Sequence, residues 1–148
     1  TLETLKYRKT MDFVLSLALL LHDAGKPDSE GSGERRFDGH SELGARVAAR
    51  FLGRLSFPAQ LVSDVAFLVR YHMMPAALGQ LPPFRTEPVM SSPLCRRLLE
   101  LYRADLSSSY VDEEGYYAAC RVYQRYLKDQ GNPYRDIVKR KRAAARRR

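Results

Sequence analysis

The chain has 148 residues, 45% of them hydrophobic and 28% charged, which suits one globular domain with a substantial core. Its longest apolar run, Phe13–Leu21, is too short to span a bilayer and lacks the cleavage signal of a secretory leader. The net charge of +8 is concentrated at one end: eight basic residues against Asp136 give the stretch from Tyr134 onward +7, leaving the rest nearly neutral. Such a tail, residues 134–148, reads either as a solvated helical or frayed end, or as an attractor of RNA and other polyanions. The two cysteines, Cys95 and Cys120, fall inside helical patterns as small core residues, so a reducing, cytoplasmic setting is expected.

Taken in order, Thr1–Lys9 is amphipathic and resembles a helix already in progress; with no initiator Met, the start looks cut. Thr10–Leu21 reads as a helix apolar on every side, hence buried. It ends on His22-Asp23, with Gly25 expected as a left-handed terminator and Pro27 as the block to resumption. Lys26–Gly39 is polar and glycine-rich, a surface loop. A second helix is expected from about His40 to Leu52, with Gly53 as its stop and His40, Gly44, Val47 and Phe51 as its inward stripe. Gly44 in mid-helix points to a close helix–helix approach.

Pro58 opens a third helix in which Leu61, Val65, Leu68 and His72 form one stripe, and Pro75 is expected to end it. Met74–Pro93 holds five prolines and reads as an irregular connection or lid. Ser92-Pro93 restarts helix, with Leu94, Leu98, Leu101 and Asp105 on one face. Asp112 is expected to cap a last long helix to about Asp129, with Tyr116, Cys120, Tyr123 and Leu127 inward. Neither strand-like alternation nor a phosphate-binding glycine loop is evident. The fold class is therefore all-α, a compact bundle of about five to seven helices, occupying residues 1–133.

Three histidines are present in all, His22, His40 and His72, and each stands at a helix end on or beside the buried face. Asp105 takes the next apolar position on a fourth helix. One such histidine is usually a satisfied core residue, and an isolated His-Asp pair can simply cap a helix. Four helices each bringing a metal-competent side chain to the edge of one core point instead to a shared centre. Imidazole nitrogen with carboxylate oxygen suits Zn, Mn, Fe, Co or Ni, and the absence of thiolates favours an open, water-bearing site.

The order of these segments resembles the HD-domain metal-dependent phosphohydrolases. Leu20–Pro27 (LLHDAGKP) is similar to the central His-Asp motif of that family; Phe37–Ala45 (FDGHSELGA) and Leu68–Met73 (LVRYHM) are similar to its intervening histidine segments. Ala104–Tyr110 (ADLSSSY) resembles the final aspartate segment. The likeness covers roughly Thr1 to Tyr110 and is nearest to the HD domain attached to bacterial tRNA nucleotidyltransferases and poly(A)-polymerase-like proteins.

That resemblance implies a divalent metal (Mn, Co, Ni, Fe, Zn or Mg) held by His22, Asp23 and Asp105. His40 and His72 would bind a second metal, with Asp23 bridging, or would orient phosphate. It implies hydrolysis of a phosphomonoester, or of a cyclic or nucleotide phosphodiester, by metal-activated water. Lys26 and, more weakly, Arg70 are the candidates to contact a phosphate oxygen; a solvent-facing lysine is the plain alternative for the first. Besides a nucleotide or phosphate-ester substrate, tRNA is the implied partner, and no membrane. The competing reading is a non-catalytic module that holds RNA for a nucleotidyltransferase. The family's first histidine has no counterpart here. Truncation directly after it and loss of the ligand are the two explanations, and either leaves the site one ligand short.

Overall fold

The computed structural model describes residues 2–27, 29, 39–109 and 113–132. Within them the chain forms a short N-terminal 3-10 turn, Glu3–Tyr7, and seven α-helices, with no strand among the described residues. The helices are α1 (Phe13–Leu21), α2 (His40–Arg54), α3 (Ala59–Tyr71), α4 (Met74–Ala77), α5 (Pro83–Met90), α6 (Cys95–Ser108) and α7 (Glu114–Gln130). The basic tail, most of the loop after Lys26, and Asp112 lie outside the described residues. The N-cap position of α7 is held by Glu113.

Helix α1 starts at Phe13, three residues later than expected, because Asp12 caps it by accepting the Leu15 N–H at 2.9 Å. It is not buried on every side. Leu15, Ala18 and Leu19 are inside, whereas Phe13 and Leu20 are exposed. The first residues make a 3-10 turn rather than an α-helix, and Thr4 is its buried residue.

The main core joins α1 to Ala48 and Leu52 of α2, Val65, Leu68 and Val69 of α3, and Leu98, Leu101 and Ala104 of α6. Each fully buried leucine contributes about 1.5–3 kcal/mol by leaving water. The α2–α3 hairpin is the most extensive helix pairing. On α2 the buried line is His40, Gly44, Ala48 and Leu52, not the line through Val47 and Phe51; Phe51 is 47% exposed. A strict four-residue step keeps small Ala48 against α3, where a phenylalanine would not fit the close approach. Gly53 lies inside α2, which ends at Arg54.

Gly25 differs from expectation in its reason. Gly39, before α2, is the described glycine with a left-handed backbone. At Gly25 a Cβ would stand 2.1 Å from the His40 carbonyl oxygen and 2.4 Å from the Gly44 nitrogen. A Cβ on Gly44 would in turn meet the Gly25 nitrogen and Val69 Cγ1, both at 3.2 Å. The turn after α1 and the first turn of α2 therefore touch backbone to backbone, which places His22-Asp23 beside His40.

Helix α3 ends at Tyr71, ahead of Pro75 as expected; Pro75 itself sits in the first turn of α4, and Pro83 likewise begins α5. The proline-rich segment expected to be irregular thus contains two short helices, since proline's fixed φ suits a first turn. Helix α7 packs onto a second, smaller cluster of Leu78, Met90, Cys95, Leu99 and Ala119. Its Tyr116, Cys120 and Tyr123 are only half buried and Leu127 is exposed, so this layer is thinner than its spacing implied. Both cysteines are free thiols, Cys95 buried and Cys120 partly so.

Candidate metal centre

His22 and His72 occupy equivalent places, each directly after the last residue of its helix. Each uses the same local device. His22 Nδ1 donates to the Leu19 carbonyl at 2.8 Å and His72 Nδ1 to the Val69 carbonyl at 2.7 Å. A carbonyl only accepts, so both rings carry a proton on Nδ1 and turn Nε2 into the interior. The bond also satisfies a helix-end carbonyl. His40 is the first residue of α2, and Asp105 projects from α6.

These side chains meet in one cavity of about 470 Å³, lined by His22, Asp23, Lys26, His40, His72 and Asp105. His22 Nε2 lies 3.4 Å from Asp23 Oδ2 and 3.3 Å from Asp105 Oδ1. His40 and His72 approach Nε2 to Nε2 at 3.1 Å. One donor atom each from Asp23, His40 and His72 falls within 4.8 Å of the others. All three imidazoles are buried, while Asp23 and Asp105 are partly open to the cavity.

The electrostatics favour a cation here. Burial works against a charged His22, yet the hydrogen bond to Asp105 and the charge of Asp23 prevail and raise its pKa. Asp105 is lowered, first by its bond to His22. At His72 burial prevails and pushes the pKa down to about 4, so that ring is neutral. Neutral His22 would aim a lone pair at two carboxylates, a repulsive arrangement that a proton or a metal ion relieves. The donor set of nitrogens and oxygens, with Nε2 already turned inward, fits a divalent ion.

Lys26 Nζ bonds Asp23 Oδ2 at 2.7 Å at the cavity edge. Arg70 is not brought to the site. It lies two residues before His72, about half a turn around α3, and its guanidinium bonds both Glu42 oxygens at 2.9 and 3.1 Å. Its expected contact with substrate is therefore withdrawn. The sequence reading missed Glu3, Thr4, Met73, Ser108 and Ser109, which complete the cavity wall. The resembling segments Ala104–Tyr110 and Leu68–Met73 contain the two serines and Met73; Glu3 and Thr4 carry no periodic signal.

An all-helical frame that converges three imidazoles and two carboxylates on one cavity defines a domain with a histidine-aspartate metal centre as its candidate site. The chain belongs to the HD-domain family, whose model matches residues 3–108. That superfamily comprises metal-dependent phosphohydrolases, and HD domains bind divalent metals.

Among curated proteins, the chain is 38% identical over 76 residues to an A-adding tRNA nucleotidyltransferase of Deinococcus radiodurans, covering 49% of this chain and 18% of the relative. It is 50% identical over 62 residues to a CC-adding tRNA nucleotidyltransferase of Thermus thermophilus, covering 38% and 14%. It is 39% identical over 67 residues to a bifunctional uridylyltransferase/uridylyl-removing enzyme of Cereibacter sphaeroides, covering 45% and 6%. The chain thus spans less than a fifth of the length of these relatives. No solved structure matches it. Among the described residues, no helix is long and apolar enough to cross a membrane.

Proposed function

We propose that this domain is a metal-dependent phosphohydrolase module acting on a nucleotide or other phosphate ester. The observation that carries the reading is the meeting of His22, Asp23, His40, His72 and Asp105, from four separate helical segments, around one cavity. His22, Asp23 and Asp105 would hold one divalent ion; Asp23, His40 and His72 would hold a second, with Asp23 shared. A bound divalent ion lowers the pKa of water and neutralises charge on phosphoryl oxygens.

The chain's own residues do the rest. The Leu19 and Val69 carbonyls hold the His22 and His72 rings in their donor orientation. His40 donates its Nε2 proton to His72 in the metal-free state and must give that proton up to serve as a ligand. Lys26, held by Asp23 at the cavity edge, would offer its ammonium to a phosphate oxygen there. The domain extends through α7, which the second core cluster ties to α4 and α6. With free thiols at Cys95 and Cys120, we assign it to a reducing, cytoplasmic setting.

One feature favours a second reading, a non-catalytic module that helps a nucleotidyltransferase hold tRNA. The Lys26 ammonium already compensates Asp23, so the site has a stable form that needs no metal. The likeness to two tRNA nucleotidyltransferases supports an RNA partner for either reading, with the basic tail, residues 134–148, as one contact.

The test combines metal content by mass spectrometry with Mn²⁺-, Co²⁺- or Ni²⁺-dependent hydrolysis of a 2′,3′-cyclic nucleotide and of p-nitrophenyl phosphate. Hydrolysis lost in both His22→Ala and Asp105→Ala supports the enzyme. Activity surviving Asp105→Ala, or a metal-loaded protein inert on every ester while RNA binding persists, favours the accessory module.

A further inference from the structure

We infer that the solvent ridge of α2 is a contact surface for single-stranded RNA, separate from both the metal centre and the basic tail. Arg46, Arg50 and Arg54 follow one another at four-residue intervals along α2, and all three are exposed. Four residues advance about 6 Å along a helix, close to the interval between consecutive phosphates of an extended strand. None of the three guanidinium groups has a hydrogen bond, ion pair or ring contact with another described residue. Some exposed cations elsewhere are matched, Lys6 with Glu3, Arg97 with Asp12 and Arg121 with Glu114, while Arg85, Arg125 and Lys128 are not. What sets the α2 row apart is three unmatched guanidinium groups in even register along one helix. A row of unmatched positive charge at phosphate spacing is complementary to a nucleic-acid backbone.

The second observation is the misplaced aromatic. Phe51 belongs by its chemistry in a core, yet it is 47% exposed and stands between Arg50 and Arg54 in the chain. Leu55, one residue past Arg54, is 56% exposed. Apolar faces beside a phosphate-binding row serve unstacked bases, which a duplex does not offer. This points to single-stranded RNA over double-stranded RNA. The ridge lies on the side of α2 opposite its buried line, so it is independent of the hydrolytic reading.

The test uses the full chain and a fluorescent single-stranded RNA of about 20 nucleotides, followed by anisotropy across a salt series. Replacing Arg46, Arg50 and Arg54 together by Gln, a residue of similar helix propensity, should weaken binding about tenfold or more. It should also lower the slope of log affinity against log salt by about 2, since three single-strand phosphate contacts are lost. Phe51→Ala should weaken single-strand binding several-fold with the slope unchanged and leave duplex binding as it was. Circular dichroism checks that each variant is folded. Hydrolysis of p-nitrophenyl phosphate should be unaltered in all of them, so failure here is distinct from failure of the enzyme assignment. Unchanged affinity and slope in the folded triple variant would overturn the inference. So would weakened binding to anionic phosphatidylserine vesicles with RNA binding intact, which would assign the ridge to a membrane surface.

Discussion

His40 and His72, thirty-two residues apart, share one short contact in which each ring limits what the other can do. With Nδ1 of His72 committed to the Val69 carbonyl, its Nε2 accepts and His40 must donate across the 3.1 Å gap. Protonating His72 would set two N–H groups against each other inside the core. Burial holds its pKa near 4, well below the ordinary histidine value of 6.5. The unfolded chain therefore takes up this proton first as pH falls. Stability is complete above about pH 6.5, declines between there and pH 4, and loses at most about 3 kcal/mol through this group. His22, whose pKa is raised, adds its stability as pH falls to about 6.5 and is level below that, so it does not offset this loss. Urea denaturation of the metal-stripped protein should show this decline, and His72→Gln should flatten it.

Gly25 and Gly44 differ in what they can bear. Gly25→Ala forces a methyl into the His40 carbonyl and the Gly44 nitrogen, both main-chain atoms that cannot step aside. A loss of about 3 kcal/mol or more is expected, with weakened metal binding because His40 is displaced. Gly44→Ala, meeting its neighbours at 3.2 Å, should cost less. Gly53→Ala, with open space around its position inside α2, should stabilise by about 0.5–1 kcal/mol. Thermal melts of the three variants give the ranking directly.

Arg103 is 4% exposed and reaches three parts of the chain. It bonds Glu100 at 2.6 and 3.1 Å and the Tyr7 carbonyl, and lies 3.9 Å from Glu113 before α7. Arg103→Met should destabilise by about 2–4 kcal/mol, because Glu100 is left without its partner in a partly buried place. Arg103→Lys should rescue little, since one ammonium cannot serve the same fork of acceptors. Hydrogen exchange should show the 3-10 turn losing protection before the core helices do.

Lys26 separates binding from turnover. Its ammonium competes with a metal ion for the Asp23 carboxylate. Lys26→Met should raise Mn²⁺ affinity several-fold in calorimetry while lowering phosphate-ester hydrolysis. A fall in both would mean that the lysine supports the ligand set rather than competing with it.

The tail makes its own claim. Deleting Lys139–Arg148 should weaken RNA binding and flatten its dependence on salt, as fewer counterions are released. Electrophoretic shifts over a salt range measure both. Unchanged affinity and slope would reduce the tail to a solvated end.

Much of this architecture was legible because its signals are periodic. Val65, Leu68 and His72 share a face that any burial of α3 must turn inward, and Leu98, Leu101 and Asp105 do the same on α6. The polar residue closing each apolar line marked the site before any contact was known. The failures have physical reasons too. Phe51 outweighs Ala48 on any hydrophobic scale, yet the close packing of α2 on α3 selects the smaller side chain. Pro75 and Pro83 stand in a stretch whose prolines suggest irregular chain, yet each begins a short helix. Thr4, Ser108 and Ser109 are small and polar, and nothing about their spacing separates a cavity wall from ordinary surface. Arg70 follows from geometry alone: two residues before an inward histidine faces away from it.

The contact of Gly25 with the first turn of α2 also separates the site from the length of chain that connects its parts. Because main-chain atoms meet main-chain atoms there, His22-Asp23 and His40 take their separation from a seam with no adjustable side chain in it. Lengthening a connecting loop adds only about 0.6 kcal/mol of closure cost for each doubling. The stretch after Lys26 is thus a place to graft a peptide, a fluorophore acceptor or a whole recognition module without retuning the donors on either side of it.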